Sequence, residues 1–288
     1  MTLHILHLAD LHFGGYADIR QVEALERIIP DLRPDAVVVA GDLCQRARHG
    51  ELQRARAFVN LAANTAPVYV TPGNHDVAWW WRPLLPFGRE ALYRNYRRYF
   101  GDELTPTLKL PGATIAGALT SHGVGFLSLT WRIRDLSVMG CLPKSEITRV
   151  TSVFSEASPE DARVLVVHHN VLRGDLSHRM GLVRWRTAQR RIVASGADLV
   201  LCGHDHQEGV DVIPGSSVVV STAGTVSTRS RAGRPGSFNF ITVEPKAIQV
   251  TFFRWEEDRG RFRASDTFAF ARIAPREAAQ ASPVAATP

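Results

Sequence analysis

Five short stretches of the chain end an apolar run with side chains that bind metal ions: Asp10-Leu11-His12, Gly41-Asp42, Gly73-Asn74-His75-Asp76, His168-His169 and Gly203-His204-Asp205-His206. Carboxylate, amide oxygen and imidazole are donors for divalent cations. An apolar run read as a strand delivers such groups to a sheet's carboxyl edge, where open α/β sheets build their sites. Asp10 and His12 are two residues apart, as are His204 and His206. On an extended segment that spacing points both side chains the same way. Asp42 follows a glycine, where the backbone turns tightly and leaves the carboxylate exposed. Several strands converging would gather enough donors for two ions sharing one carboxylate, the arrangement that supports in-line attack on phosphate esters. Singly, each stretch has a plainer reading: Asp-x-His occurs by chance, a strand histidine is usually a core residue, and Asn-His is a turn. Five in this order, each after an apolar run, carry the argument.

The intervening pattern supplies the elements. Residues 1–9 read as a strand, and residues 18–29 carry Val22, Leu25, Ile28 and Ile29 at helical spacing before Pro30 and Pro34 end the helix. Residues 36–40 are a wholly apolar strand of the kind buried on both faces of a parallel sheet. Residues 51–63 repeat the helical pattern, and 68–71 form the next strand, giving β-α-β-α-β and hence a parallel sheet. From 79 to 104 the pattern changes to tryptophans, then arginines among Tyr93, Tyr96 and Tyr99, read as a cap insert over the site with the Tyr/Arg run on a solvated helix face. Residues 114–118 and 124–130 look like a strand hairpin, a helix follows Pro143 near 147–154, and 183–194 is a further helix between strands 164–167 and 199–202. After His206 come four strands, 217–222, 237–243, 247–255 and 261–270, read as a second sheet. One domain is expected over 1–272. Residues 273–288 are expected to be a disordered tail, since from about Pro275 onward the composition of Ala, Pro, Gln, Ser and Thr leaves little to bury.

Bulk properties bound the possibilities. A net charge of +6 favours anionic partners in general but is modest for 288 residues, so a dedicated nucleic-acid surface does not follow. Cys44, Cys141 and Cys202 form no C-x-x-C pair and are too few for a disulfide framework. No apolar run is long enough to span a bilayer, and Asp10 and His12 break the first apolar run too soon for a signal peptide. A soluble cytoplasmic protein is expected.

The ordered set Asp-x-His, Gly-Asp, Gly-Asn-His-Asp, His and Gly-His-x-His, spanning residues 10 to 206, resembles the calcineurin-like metallophosphoesterase family. The resemblance implies an α/β fold, a four-layer αββα sandwich of two mixed β-sheets flanked by helices, with a binuclear metal site at one edge. It implies that Asp10, His12 and His206 hold one divalent ion and Asn74, His168 and His204 a second, with Asp42 bridging and His168 the ligand of its pair. It also implies hydrolysis through a metal-bridging hydroxide. His75 would be the general acid on the leaving oxygen, with Asp76 orienting its ring. Metal identity stays open among manganese, iron, zinc and cobalt.

Departures narrow the family. Gln45 stands where purple acid phosphatases place tyrosine. Gln45-Arg46-Ala47 and Pro72 replace most of the protein phosphatase signature, and Arg46 reads as a solvated surface residue. What remains is similar to the bacterial branch of class III cyclic nucleotide phosphodiesterases. The expected partner is therefore a small phosphodiester or nucleotide. A repair-type exonuclease acting on nucleic acid and a non-catalytic scaffold are the alternatives. His4 and His7 read as core residues, His49, His122 and His178 as loop residues, and Cys44 and Cys202 as small buried side chains.

Overall fold

The computed structural model describes residues 2–77, 88–122 and 139–273, with side chains from 91 onward in the middle stretch. The Trp79–Trp81 triplet, the expected strand 124–130 and nearly all of the expected tail lie outside the described residues.

The chain begins β1 (Leu3–Leu8), α1 (Ile19–Leu32), β2 (Ala36–Val39), α2 (His49–Ala63) and β3 (Val68–Val70). These strands are parallel neighbours. Asp18 caps α1, its carboxylate accepting from the Arg20 and Gln21 amides. Pro30 does not end this helix, which runs to Leu32 and stops at left-handed Arg33. Pro30 is exposed, so the hydrogen bond it cannot make falls on the solvent side.

Next come α3 (Gly88–Phe100), β4 (Thr107–Leu110), β5 (Ala113–Gly117), α4 (Lys144–Ser155), β6 (Ala162–Val166), α5 (Trp185–Ala194), β7 (Leu199–Cys202), β8 (Gly209–Val212) and β9 (Val219–Thr222). The hairpin partner of β5 is β4, which precedes it. β4 was hidden because its Lys109 breaks an already short run. β4 to β9 form one sheet in the order β4-β5-β6-β7-β9-β8, parallel except at its two edges.

The last strands, β10 (Ser237–Val243), β11 (Ala247–Glu256) and β12 (Arg261–Ala271), do not make a sheet of their own. β10 pairs antiparallel with β1, from Leu3 opposite Val243 to His7 opposite Asn239, so the order is β12-β11-β10-β1-β2-β3. The amino-terminal strand would otherwise present an open edge of backbone donors and acceptors.

Strand alternation sorts the side chains into three apolar layers. Ile5, Val38, Ile115, Val164, Leu199 and Ile241 fill the space between the sheets. Leu6, Leu8, Val37 and Val39 face α1 and α2, while Leu165, Val200 and Val220 face α4 and α5. The architecture is thus the four-layer αββα sandwich. No helix among the described residues is long and apolar enough to cross a membrane.

The Tyr/Arg run on α3 divides rather than forming a solvated face. Tyr93 and Tyr96 are buried, whereas Arg94 and Arg98 are exposed. Tyr96 joins the core beside α1 and α2, and Tyr93 packs with Val77 and Leu119 just behind the Asn74–Asp76 turn. Asn95 Nδ2 donates to the Ala47 carbonyl at 2.9 Å, so the described part of the insert braces the domain from behind.

The Tyr96 hydroxyl is buried without a hydrogen-bond partner among the described residues. Its ring should therefore contribute stability and its oxygen should not. Tyr96→Ala is expected to cost about 3–5 kcal/mol, and Tyr96→Phe to stay within about 1 kcal/mol of wild type, both read by urea unfolding.

Candidate metal centre

The segments leaving β1 and β2 run side by side. Asp10 N donates to Gly41 O at 3.0 Å, His12 N to Asp42 O at 3.0 Å and Phe13 N to Leu43 O at 2.8 Å. That ladder brings Asp10, His12 and Asp42 to one place. Asn74 arrives just beyond β3, His168 beyond β6, and His204 and His206 beyond β7. The two sheets are tied at this edge by His168 Nδ1 on the Ala40 carbonyl, 2.9 Å, while Gly203 N on the His168 carbonyl, 2.8 Å, holds together the segments leaving β6 and β7 of one sheet.

The backbone here is not extended. Asp10, His12, Asp42, His204 and His206 have φ of 56°, 48°, 52°, 73° and 57°. Each sits in the left-handed region, which costs a non-glycine residue roughly 1–2 kcal/mol. The common direction of Asp10 and His12, and of His204 and His206, therefore comes from successive left-handed kinks rather than strand alternation. Two glycines make the packing possible. A Cβ on Gly73 would lie 2.1 Å from Asp42 Oδ1 and one on Gly203 2.6 Å from Asp10 Oδ2.

Two donor clusters result. In the first, His206 Nε2 lies 3.0 Å from His12 Nε2 and 3.3 Å from Asp10 Oδ1, while His12 Nε2 is 4.0 Å from Asp42 Oδ2. In the second, Asn74 Oδ1 lies 3.1 Å from His168 Nε2 and 3.0 Å from His204 Nδ1. Asp42 Oδ2 is 3.4 Å from His168 Nε2, so one carboxylate oxygen stands between the clusters. All seven side chains singled out from the sequence are brought together. His169 joins the second cluster, 4.5 Å from His204 between ring centroids. Its Nδ1 is engaged by Thr120 Oγ1 at 2.8 Å, whereas His168 shares the oxygens of Asp42 and Asn74.

This donor set fits cations. Asp10 Oδ1 is buried and accepts no hydrogen bond among the described residues. The facing nitrogens of His12 and His206 present two lone pairs to one spot unless a proton or a cation lies between them. The outward nitrogens of His206 and His168 are committed, His206 Nδ1 donating to Arg229 O at 3.0 Å and His168 Nδ1 to Ala40 O, whereas His12 Nδ1 is buried without a partner among the described residues. Such bonds set the tautomer that leaves the inner nitrogen free to ligate. Burial pushes His12 and His204 well below the usual histidine range. Burial opposes charge on Asp42, but His168 and His75 outweigh it and hold the carboxylate well below its usual range. Neutral imidazole and ionised carboxylate are the ligating forms.

His75 and Asp76 depart from expectation. The Asp76 carboxylate accepts from the amides of Gly73 (2.8 Å), Cys44 (2.9 Å) and Leu43 (3.1 Å), so it pins the Gly41–Asp42 loop to the Gly73–Asn74 loop. It does not orient the His75 ring, because three backbone donors claim its oxygens. Gln45 does: the His75 Nδ1 proton goes to the Gln45 carbonyl at 2.8 Å. On the other side Arg229 Nη1 lies 3.2 Å from His75 Nε2. Arg229 had no signal in the sequence, since it belongs to no metal-ligand spacing. Arg46 is exposed, as expected. His7 and both Cys44 and Cys202 are buried core residues, His7 bonded to Ser221 Oγ at 3.1 Å.

If each cluster holds one ion, Asp42→Ala should lose both, whereas His206→Ala should keep one. Metal content per chain, measured by mass spectrometry after gel filtration, checks this. An Asp42→Ala protein that retains two ions contradicts the shared role.

Comparison with known proteins agrees with this geometry. A family profile described as calcineurin-like phosphoesterase matches residues 3–208. The glycerophosphodiester phosphodiesterase GpdQ of Enterobacter lignolyticus is 30% identical over 175 residues, covering 54% of this chain and 56% of that protein. A probable GpdQ of Arcobacter nitrofigilis is 23% identical across 87% of this chain and 82% of its own length. A zebrafish (Danio rerio) transmembrane protein with a metallophosphoesterase domain is 28% identical over 36% of the chain, which spans only 24% of that relative. Among solved structures, purple acid phosphatase PPD1 from yellow lupin superposes with a TM-score of 0.68 at 12% identity, over 99% of this chain and 57% of its own. PhoD gives 0.64 at 11% identity, over 94% and 70%; at such identities the likeness is one of fold. With the profile spanning most of its length, and the five donor-bearing strand ends inside the match, the chain belongs to the calcineurin-like phosphoesterase family.

Proposed function

We propose that this protein is a binuclear-metal phosphodiesterase acting on small phosphodiesters. The observation that carries the reading is the Asp42 carboxylate standing between two three-donor clusters. Asp10, His12 and His206 would hold one ion and Asn74, His168 and His204 the other, with Asp42 shared. Two divalent cations bound against the two carboxylates would supply net positive charge for the phosphoryl oxygens and a water acidic enough to react near neutral pH. Manganese, iron, zinc and cobalt all suit these donors.

The chain's own groups do the rest. Asp76 fixes the two loops that carry Asp42 and Asn74, a positioning role. Gln45 and the Asp42 carboxylate hold His75 from two sides, the latter accepting its amide at 2.7 Å. His75 Nε2 accepts from Arg229 while Nδ1 holds the ring proton, so this nitrogen would first take up a second proton and then hand it to the leaving alcohol. The names of the two bacterial relatives support a diester over a monoester. Cyclic nucleotides such as cyclic AMP and glycerophosphodiesters are the two diester classes to try first. The three cysteines are free, which suits a reducing compartment, and we place the protein in the cytoplasm.

Protein loaded in turn with each metal should hydrolyse bis(p-nitrophenyl) phosphate at least about 10-fold more efficiently than p-nitrophenyl phosphate, the ~1.4 kcal/mol that one lost binding contact is worth. Chelation should abolish both activities. A monoester preference would overturn the diester reading. Cyclic AMP, a glycerophosphodiester and single-stranded DNA, compared directly, then rank the substrates. For His75→Ala, loss of a proton donor should cost about 10²–10⁴-fold on alkyl esters and far less on activated aryl esters. Equal losses on both would reject the proton-donor role.

A further inference from the structure

Arg229 stands in an unusual position for a surface-loop arginine. Its Nη1 reaches His75 Nε2 at 3.2 Å and Gln45 Oε1 at 3.3 Å, both neutral partners. No carboxylate lies within ion-pairing distance of it among the described residues, whereas its neighbour Arg231 is 3.3 Å from Asp205 Oδ1. His75 in turn packs edge-on against His12, 4.9 Å between ring centroids, so the guanidinium borders the first donor cluster. The side chain is held in place beforehand. Tyr16 lies beneath it with the guanidinium carbon 5.4 Å from the ring centre. The loop is tied down by Thr228 N on the Tyr16 carbonyl, 2.9 Å, and by His206 Nδ1 on Arg229's own carbonyl. Beside it lies an open hollow of about 430 Å³ whose lining includes Leu176, Ser177, His206, Arg229, Ser230 and Arg231.

A guanidinium whose bonds are spent on an imidazole nitrogen and an amide oxygen gains by exchanging them for phosphate oxygens, since both partners are then charged and the planar fork can hold two oxygens at once. The restraint by Tyr16 and the two loop bonds means little side-chain freedom is lost in that exchange. We propose that Arg229 is a substrate-binding residue that grips a phosphoryl oxygen of the ester, with the adjoining hollow receiving the alcohol on the His206 side, a role that rests on the phosphoesterase reading of the same site. Arg229 leaving His75 Nε2 for the phosphate would also free that nitrogen to take up a proton and face the leaving oxygen.

The test is Arg229→Gln and Arg229→Lys in the metal-loaded full chain, after metal analysis shows that both keep the wild-type metal content. Two readings are taken: KM and kcat for bis(p-nitrophenyl) phosphate, and the affinity of inorganic phosphate by calorimetry. For Arg229→Gln, KM and the phosphate dissociation constant should both rise about 10-fold or more, as expected for one lost charged contact, with kcat changing much less. Lys should restore part of the phosphate affinity, keeping charge without the planar fork. Unchanged phosphate affinity in Arg229→Gln overturns the proposal, as does a fall in kcat alone. Phosphate affinity decides this even if wild-type protein hydrolyses no diester, so failure of the phosphodiesterase reading is read separately.

Discussion

The structure turns on a backbone requirement: at the end of β1, β2 and β7 the chain must enter the left-handed region so that donors from separate strands can face one another. Asp10, His12, Asp42, His204 and His206 all do so. Such conformations persist where surrounding contacts over-determine them. Here those contacts are the ladder between the Asp10–Phe13 and Gly41–Leu43 segments and the three amides that converge on Asp76. The same convergence leaves Asp10 Oδ1 without a hydrogen bond and sets the inner nitrogens of His12 and His206 against each other. Strain, desolvation and electrostatic frustration are thus concentrated at one edge, and a bound cation would offset all three. Because an unfolded chain offers no such preformed donor set, metal affinity and fold stability are linked.

The rest of the fold serves that edge. Short, fully buried parallel strands, such as Ala36–Val39 and Leu199–Cys202, deliver their next residues to the same rim of the sandwich. The two sheets meet there through His168 and Ala40, so the site spans both rather than hanging on one. β10 to β12 close the open side of β1, with Asn239 opposite His7 three residues before Asp10. Tyr93 and Tyr96 of α3 fill the space behind the Asn74–Asp76 turn, so a segment that looks like a lid holds the floor.

Much of this was legible because ligation uses few residue types at fixed distances from strand ends. Gly-Asp, Gly-Asn-His-Asp and Gly-His-x-His each carry their own glycine, and at Gly73 and Gly203 a side chain would collide with the carboxylate of Asp42 or Asp10. What escaped depended on long-range partners. That Gln45 rather than Asp76 orients His75 depends on which buried amides lie near Asp76, and nothing in Asn-His-Asp encodes it. Arg229 reaches the site only because the Thr228–Tyr16 bonds fold its loop inward. The pairing of β10 with β1 joins residues from opposite ends of the chain, so local periodicity found the strands but not their sheet. The burial of Tyr93 and Tyr96 was obscured by Arg94 and Arg98 beside them, which share the helix but not the face.

The proposed chemistry needs two cations sharing the Asp42 carboxylate. The most direct measurement is a crystal of manganese-loaded protein examined for anomalous scattering. Two peaks are expected, about 3.5–4 Å apart, one against Asp10, His12 and His206 and the other against Asn74, His168 and His204, with Asp42 touching both. A single peak, or two that leave Asp42 uncoordinated, would contradict it.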